Sequence, residues 1–265
     1  MLRILLAGIF GRMGTELKKL IEATPDLELA GGIDPLATDA TNPLAAYPIF
    51  SAAVTCDCAY DVLIDFSHPS ALSGIIDLTE RTRRPAVIAT TGHDAAAIAR
   101  LREAARNTPI LQSGNMSLGI NLLLSLVRRA AAVLYPGFDP EIVEIHHRNK
   151  LDAPSGTAYM LADALREGAS RATAEDESTD TNTLELVYDR HERRGVRPVP
   201  EIGIHSLRGG TVPGEHAVIF AGEHEVITLS HRAESRDIFA HGAIKAARWL
   251  VTKTPGFYTM DNLFN

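Results

Sequence analysis

Through the first 115 residues, short apolar runs alternate with apolar positions spaced for one face of a helix. Positions 2–7 read as a buried strand, and Met13, Leu17, Leu20 and Ile21 share one helical face. Positions 27–33 predict a second strand ending at Asp34, and 62–66 a third, with a helix from about Ser70. A strand at 85–90, an Ala-rich helix at 95–106 and a short strand at 109–111 continue the series. Alternation of this kind predicts an α/β arrangement, a parallel sheet with helices on both faces.

The pattern changes near Gly114. A long apolar helix is predicted at 118–134, an alternating strand at 141–145, and a helix from Ser155 to about Arg166. Residues 168–183 are small and polar and predict an exposed, mobile loop. Strands then follow closely at 184–189, 201–207, 216–221 and 225–231, the pattern of an α+β domain with an open mixed sheet. The end reverts to helix, with Ile238, Ile244, Ala247, Trp249 and Leu250 on an apolar stripe.

Composition narrows the functional classes. At ~150 residues per domain, 265 residues make one large or two modest domains. A net charge of −7 argues against nucleic acid and anionic membranes as partners, since both attract excess positive charge. The apolar runs at 2–10 and 120–127 are broken or ended by Arg3, Arg12, Arg128 and Arg129, far short of the ~20 residues of a membrane span. No signal peptide is expected. Cys56 and Cys58 are the two cysteines, one residue apart. They make no disulfide framework and, without a matching Cys/His cluster, no metal site, so a cytoplasmic protein without metal is expected.

Two tracts carry chemistry. Gly8-Ile9-Phe10-Gly11-Arg12-Met13-Gly14 follows the first strand and opens the first helix. Glycines three apart permit a tight turn, close approach of a phosphate, and close helix–strand packing, while the helix start offers free N–H groups to a pyrophosphate. Asp34 lies 20 residues after Gly14, at the spacing of a carboxylate that accepts from ribose hydroxyls; the plainer alternative is a turn residue before Pro35. Thr90-Thr91-Gly92 ends a later strand on the same sheet edge, where Thr90 and Thr91 would line a nicotinamide site. A 2′-phosphate wants Arg or Lys just after the acid. Pro35 and Leu36 stand there, so NADH is expected to be preferred, with NADPH possible.

The second tract is Glu144-Ile145-His146-His147-Arg148-Asn149-Lys150-Leu151-Asp152-Ala153-Pro154-Ser155-Gly156-Thr157-Ala158. Two His, an Arg and a Lys fall within five residues of an acidic chain, followed by Ser155 as the predicted N-cap of a helix whose first turn holds Gly156 and Thr157. Cationic groups, an open helix N-terminus and a proton-bearing His or Lys suit a small dicarboxylate. The alternative is a solvated basic loop before an ordinary capped helix.

These motifs resemble the 4-hydroxy-tetrahydrodipicolinate reductase (dihydrodipicolinate reductase) family over nearly the whole chain. The 144–158 tract is similar to the family signature almost throughout, as are Gly11-Arg12-Met13-Gly14, Thr90-Thr91-Gly92, Asn115-Met116-Ser117, Gly214-Glu215-His216 and Ser235-Arg236 with Phe239 and Gly242. The resemblance implies an N-terminal Rossmann-like, dinucleotide-binding domain, 1–117 completed by 234–265. It also implies an α+β domain for substrate binding and oligomerisation at 118–233, in a homotetramer. It implies nicotinamide-dependent reduction in diaminopimelate and lysine biosynthesis: a hydroxylated cyclic imine loses water, hydride reaches ring C4, and the resulting enamine is protonated. By motif, His146 would be the proton donor/acceptor and Lys150 a second donor. His147, Ser155, Gly156 and Thr157 would bind substrate. Gly8, Ile9, Phe10, Gly11, Arg12, Met13, Asp34, Ala89, Thr90, Thr91, Ser113, Gly114, Asn115 and Met116 would face the cofactor. Departures are Ala89 where members often have Gly, and His68 and Pro35 where many carry basic residues. Two other readings are a nucleotide sensor without catalysis and a different small-acid dehydrogenase on the same fold.

Overall fold

The computed structural model describes residues 1–38, 46–172, 184–191, 195–198 and 200–264. The chain divides into two compact units, Met1–Leu118 with Asp237–Asn265, and Gly119–Arg236.

In the first unit the predicted alternation is realised. Strand β1 (Leu2–Ala7) leads into helix α1 (Arg12–Glu22), followed by β2 (Leu27–Ile33), β3 (Ile49–Phe50) and β4 (Val62–Asp65). Then come α2 (Leu72–Thr82), β5 (Ala86–Ile88), α3 (Ala95–Ala104) and β6 (Pro109–Gln112). Ile4, Leu5 and Leu6 of β1 are fully buried, because a parallel strand covered on both faces has no solvent side; each such side chain contributes ~1.5–3 kcal/mol of burial. The apolar face of α1 buries Leu17 and Ile21 as its periodicity requires.

The chain returns to this unit at its end through α6 (Asp237–Leu250) and β12 (Gly256–Tyr258). The buried stripe of α6 is mostly small, Ala240, Gly242, Ala243, Ala246 and Ala247 with Ile244 and Leu250, whereas Ile238 and Trp249 are only half-buried. Gly242 lies on the Met116 carbonyl, where a Cβ would overlap it. The small face lets the helix lie close against its neighbours. Strands β3 and β12 escape sequence reading because each is too short to show a period. The parallel sheet runs β12-β6-β5-β4-β1-β2-β3. Its order reverses between β1 and β4, which opens a crevice at their carboxyl ends.

The second unit holds α4 (Leu118–Leu134) from its second residue onward, β7 (Asp139–His146), α5 (Gly156–Ala172), β8 (Glu185–Val187), β9 (Glu201–Arg208), β10 (Gly214–Ala221) and β11 (Val226–Ala233). Its mixed sheet runs β11-β10-β7-β9-β8. Ladders from β10 are antiparallel, and β7–β9 and β8–β9 are parallel. One face buries Ile142, Val218, Phe220, Ile202 and Ile204 against Leu123, Val127, Leu161 and Leu165 of the two helices.

The loop expected at 168–183 is corrected over its first part, because residues 168–172 continue α5. Gly168 is buried against the Arg128 carbonyl and Ala131, with no room for a Cβ, and this packing extends the helix past its polar-looking sequence. Residues 173–183 lie outside the described residues. Among the described residues no helix is long and apolar enough to cross a membrane.

Candidate active site

At the carboxyl edge of the parallel sheet, the Gly-rich loop turns from β1 into α1. Gly8 has φ +78°, and a Cβ on it would come 2.6 Å from the Phe66 carbonyl. Both facts require glycine. Gly14 is buried against the Gly8 carbonyl, which brings α1 close to the strand. Gly11 caps the helix without a side-chain bond, and no acid occupies the first turn. The first N–H groups of α1, at Arg12, Met13 and Gly14, therefore remain available to an anion. Ile9 is buried and Phe10 is exposed.

Asp34 is buried at the end of β2. Its Oδ2 accepts from the Phe10 N–H (3.1 Å) and its Oδ1 from the Leu36 N–H (3.0 Å). The carboxylate thus ties down the tip of the glycine loop as well as its own turn. Each oxygen keeps a second lone pair for a hydroxyl.

Ala89 and Thr90 are buried just beyond β5, and Thr91 is exposed. The Thr90 hydroxyl bears on the buried Asp65 carboxyl at the end of β4 as a hydrogen-bond donor. Ser113 and Asn115 shape the turn after β6: Ser113 Oγ donates to the Asn115 carbonyl (2.8 Å), and Asn115 Oδ1 accepts from the Ser117 N–H (2.8 Å). Gly114 is exposed and Met116 buried. Asp65, at the end of β4, is a residue sequence reading missed. Burial pushes its carboxyl upward against the hydrogen bonds from Ser67 and Thr90. An uncapped helix start and a buried strand-end carboxylate on one sheet edge fit a dinucleotide.

The basic tract folds into a second site. His146 ends β7 and is 8% exposed. Its Nδ1 meets Glu144 Oε2 at 2.6 Å. Glu144 is wholly buried two residues earlier on the same strand face. Arg208, paired with His146 in the β7–β9 ladder, reaches both Glu144 oxygens at 2.8 Å. Burial works to raise the Glu144 carboxyl, but hydrogen bonds from Arg208, His146 and Ser206 prevail and hold it at about 2. Burial lowers His146, and the Glu144 bond opposes that shift only in part.

Ser155 caps α5 as its position suggests. Its Oγ accepts from the Ala158 N–H (3.2 Å) and meets His216 Nε2 at 2.8 Å, and its own N–H donates to Glu144 Oε1 (3.2 Å). The Ser155 side chain is thus occupied within the protein. Gly156 faces open space, with nothing within 4 Å of where its Cβ would be, and Thr157 follows half-buried in the first turn. The ring of His216, on β10, stands edge-on to His146 at 5.1 Å. Burial, then the neighbouring His146, lowers His216 to about 4, so the ring is neutral at pH 7.

Lys150 pairs with Asp152 at 2.8 Å, and its charge bears on both histidines. His147 Nε2 lies 3.3 Å from an Arg236 guanidinium nitrogen. Arg148 and Asn149 are exposed. The structure thus gathers His146, Ser155 and His216 around one carboxylate, while His147 is held by Arg236. Sequence reading missed Glu144 as a partner of His146, although the period-two spacing puts both on one strand face. Arg208 carries no local signal, because only the ladder brings it there.

A glycine-loop parallel sheet joined in one chain to a cationic, proton-bearing cradle defines an oxidoreductase that uses a nicotinamide dinucleotide. The family description "Dihydrodipicolinate reductase, N-terminus" matches residues 2–116, and "Dihydrodipicolinate reductase, C-terminus" matches residues 119–264. The chain belongs to the dihydrodipicolinate reductase family, in agreement with the resemblance of its motifs. It is 44% identical over 263 residues to the 4-hydroxy-tetrahydrodipicolinate reductase of Caldanaerobacter subterraneus subsp. tengcongensis, covering 99% of this chain and 98% of that one. It is likewise 44% identical to the reductase of that name from Parvibaculum lavamentivorans, covering 99% and 97%. Among solved structures, dipicolinate-bound dihydrodipicolinate reductase from Paenisporosarcina sp. TG-14 superposes with a TM-score of 0.77 at 25% identity, over 99% of each chain.

In the folded chain His216 takes its proton only near pH 4, against 6.5 ordinarily. As pH falls, the unfolded chain protonates first. Stability conferred by the neutral ring is therefore present above pH 6.5 and lost down to about 4, by roughly 2–4 kcal/mol. Glu144 continues the loss from 4.5 down to about 2. Urea denaturation at stepped pH should show this slope between pH 6.5 and 4, and His216→Asn should flatten it; equal slopes in both proteins would contradict the neutral buried ring.

Proposed function

We propose that this chain reduces 4-hydroxy-tetrahydrodipicolinate to tetrahydrodipicolinate in diaminopimelate and lysine biosynthesis. The observation that carries this reading is the cradle at the end of β7: a buried histidine beside a helix start whose Gly156 faces open space. The names of its relatives and the dipicolinate held by the Paenisporosarcina enzyme support a cyclic dicarboxylate as the substrate.

The residues divide the work by chemistry. The first N–H groups of α5, at Gly156 and Thr157, hold one carboxylate, and Ser155 keeps that helix start in place. His147 and Arg236 add positive charge for the substrate's anionic groups. His146 delivers a proton from Nε2 once the ring has been reduced, with Lys150 as a second donor after it leaves Asp152. On the other unit, the glycine loop with Asp34 holds the pyrophosphate and ribose, while Ala89, Thr90, Thr91 and Ser113 through Met116 line the nicotinamide. When bound, the nicotinamide supplies hydride. A positioned acid adds ~10²–10⁴ to the rate.

NADH is the preferred donor in this reading. The Asp34 carboxylate repels a 2′-phosphate, Pro35 brings no cation to it, and the His68 ring is engaged by Ser70. Free Cys56 and Cys58 suit a reducing cytoplasm.

Self-association to a homotetramer is supported by the outward face of the mixed sheet. Val143, Ile145, Ala217 and Ile219 line it without full burial, and Leu207 is 46% exposed. A sheet face directed only to water would be polar.

Three outcomes follow. His146→Gln and Lys150→Ala should each lower kcat at least roughly tenfold with NADH affinity nearly intact; wild-type turnover in both would remove them from the mechanism. Steady-state assays on the fresh pyruvate–aspartate-semialdehyde condensation product should give a higher kcat/KM with NADH than with NADPH, and the reverse order would defeat the role given to Asp34. Sedimentation equilibrium should return about four times 28.6 kDa, reduced by Ile219→Lys; a monomer would leave the apolar face unexplained.

A further inference from the structure

We propose that Glu144, clamped by Arg208, is the positioning residue of the proton-transfer site, holding His146 by Nδ1 and the start of α5 by the Ser155 N–H. The inference rests on the reading that His146 moves the proton.

The geometry is fully subscribed. A carboxylate has about four lone-pair sites. Here they meet the two Arg208 nitrogens at 2.8 Å each, His146 Nδ1 at 2.6 Å and the Ser155 N–H at 3.2 Å, with the Ser206 hydroxyl as a further donor. No water is needed to satisfy the carboxylate, and withdrawing the Arg208 cation would leave a buried charge without its counter-ion, a costly state. Because the carboxylate stays ionised, its partner on His146 must be an N–H. Nδ1 therefore carries hydrogen in every charge state of the ring, and Nε2 is the atom that gains and loses the proton.

Nε2 faces the edge of β10 at Gly214, where a Cβ would come within 3.0 Å of it. Glycine there keeps the working nitrogen uncovered. The other oxygen of the same carboxylate fixes the α5 start, so one group sets the position of the proton donor relative to the anion cradle. A proton donor that must meet a bound dicarboxylate depends on that spacing.

The electrostatics point the same way. The charged and titratable groups around His146 are Lys150 from the following loop, Arg208 on β9 and His216 on β10, with Glu144 on its own strand. Asp152 is taken by Lys150, and His231 on β11 acts on His216. Lys150 and Arg208 oppose the charged imidazolium, and Glu144 is the anion that supports it. Without that charge the ring releases its proton at lower pH, so less of it carries a proton to give at neutrality.

The test uses the full chain with ¹⁵N-labelled histidine. In the wild type, the His146 ¹⁵N spectrum should report hydrogen on Nδ1 and titration at Nε2. Glu144→Gln should lose that tautomer, lower kcat at least tenfold, and move the alkaline limb of the kcat–pH profile, where the ring loses the proton it must give, down by about one unit or more. Glu144→Asp should restore part of all three. A wild-type ring protonated on Nε2 with Nδ1 bare overturns the proposal, and it stays decisive should Glu144→Gln fail to fold. A Glu144→Gln enzyme with unchanged tautomer and pH profile overturns it too. If His146→Gln is severely impaired while Glu144→Gln is not, the proposal falls and His146 keeps its role. If His146→Gln is unimpaired, the underlying reading fails first.

Discussion

One carboxylate without exposed surface organises the second unit. Glu144 meets Arg208 from β9, His146 from its own strand and the start of α5. A buried anion of this kind is tolerable only when every lone pair is met. The demand runs both ways. Glu144 needs its donors in place, and so the strand end, the neighbouring ladder and the helix cap are held in one arrangement. The site is accurate because it is built on element ends that a charge has locked together, rather than on a free loop.

The same constraint resolves an apparent conflict in the charge distribution. A chain of net charge −7 is a poor host for anions taken as a whole. Locally, Arg208, Lys150 and Arg236 surround a region whose one buried anion is spent on internal bonds. The groups proposed to face substrate are therefore left with positive character. Opposing this, burial and neighbouring cations keep His216 neutral and lower His146, so the site is cationic without crowding the histidines with protons. The nucleotide-side loop follows a parallel logic. Asp34 spends a lone pair of Oδ2 on the glycine loop and one of Oδ1 on its own turn, and the uncapped start of α1 supplies the complementary positive end.

Much of this was legible in the chain order. Period and run length located β1, β2, α1, α4 and β7 within a few residues, since these elements bury long, regular faces. The glycine spacing and the 144–158 tract identified the two chemical regions. What was not legible had specific causes. Strands β3 and β12 are too short for a period. The end of α5 is polar in sequence and is extended by Gly168 packing on Ala131 and the Arg128 carbonyl. Trp249 reads as core by hydropathy but is half-buried edge-on to Tyr258, because the interior side of α6 is reserved for small residues.

By itself the sequence determined the alternating elements, the two-part organisation and the residue types at each site, because hydrophobic period and local spacing are encoded by near neighbours. The tertiary structure alone decided which distant residues complete the chemistry. Arg208 lies 62 residues after His146 and meets its partner through parallel register. His216 reaches Ser155 because β10 pairs with β7. Register is a property of the assembled sheet, fixed by which faces are buried together, and no local window of the chain contains it.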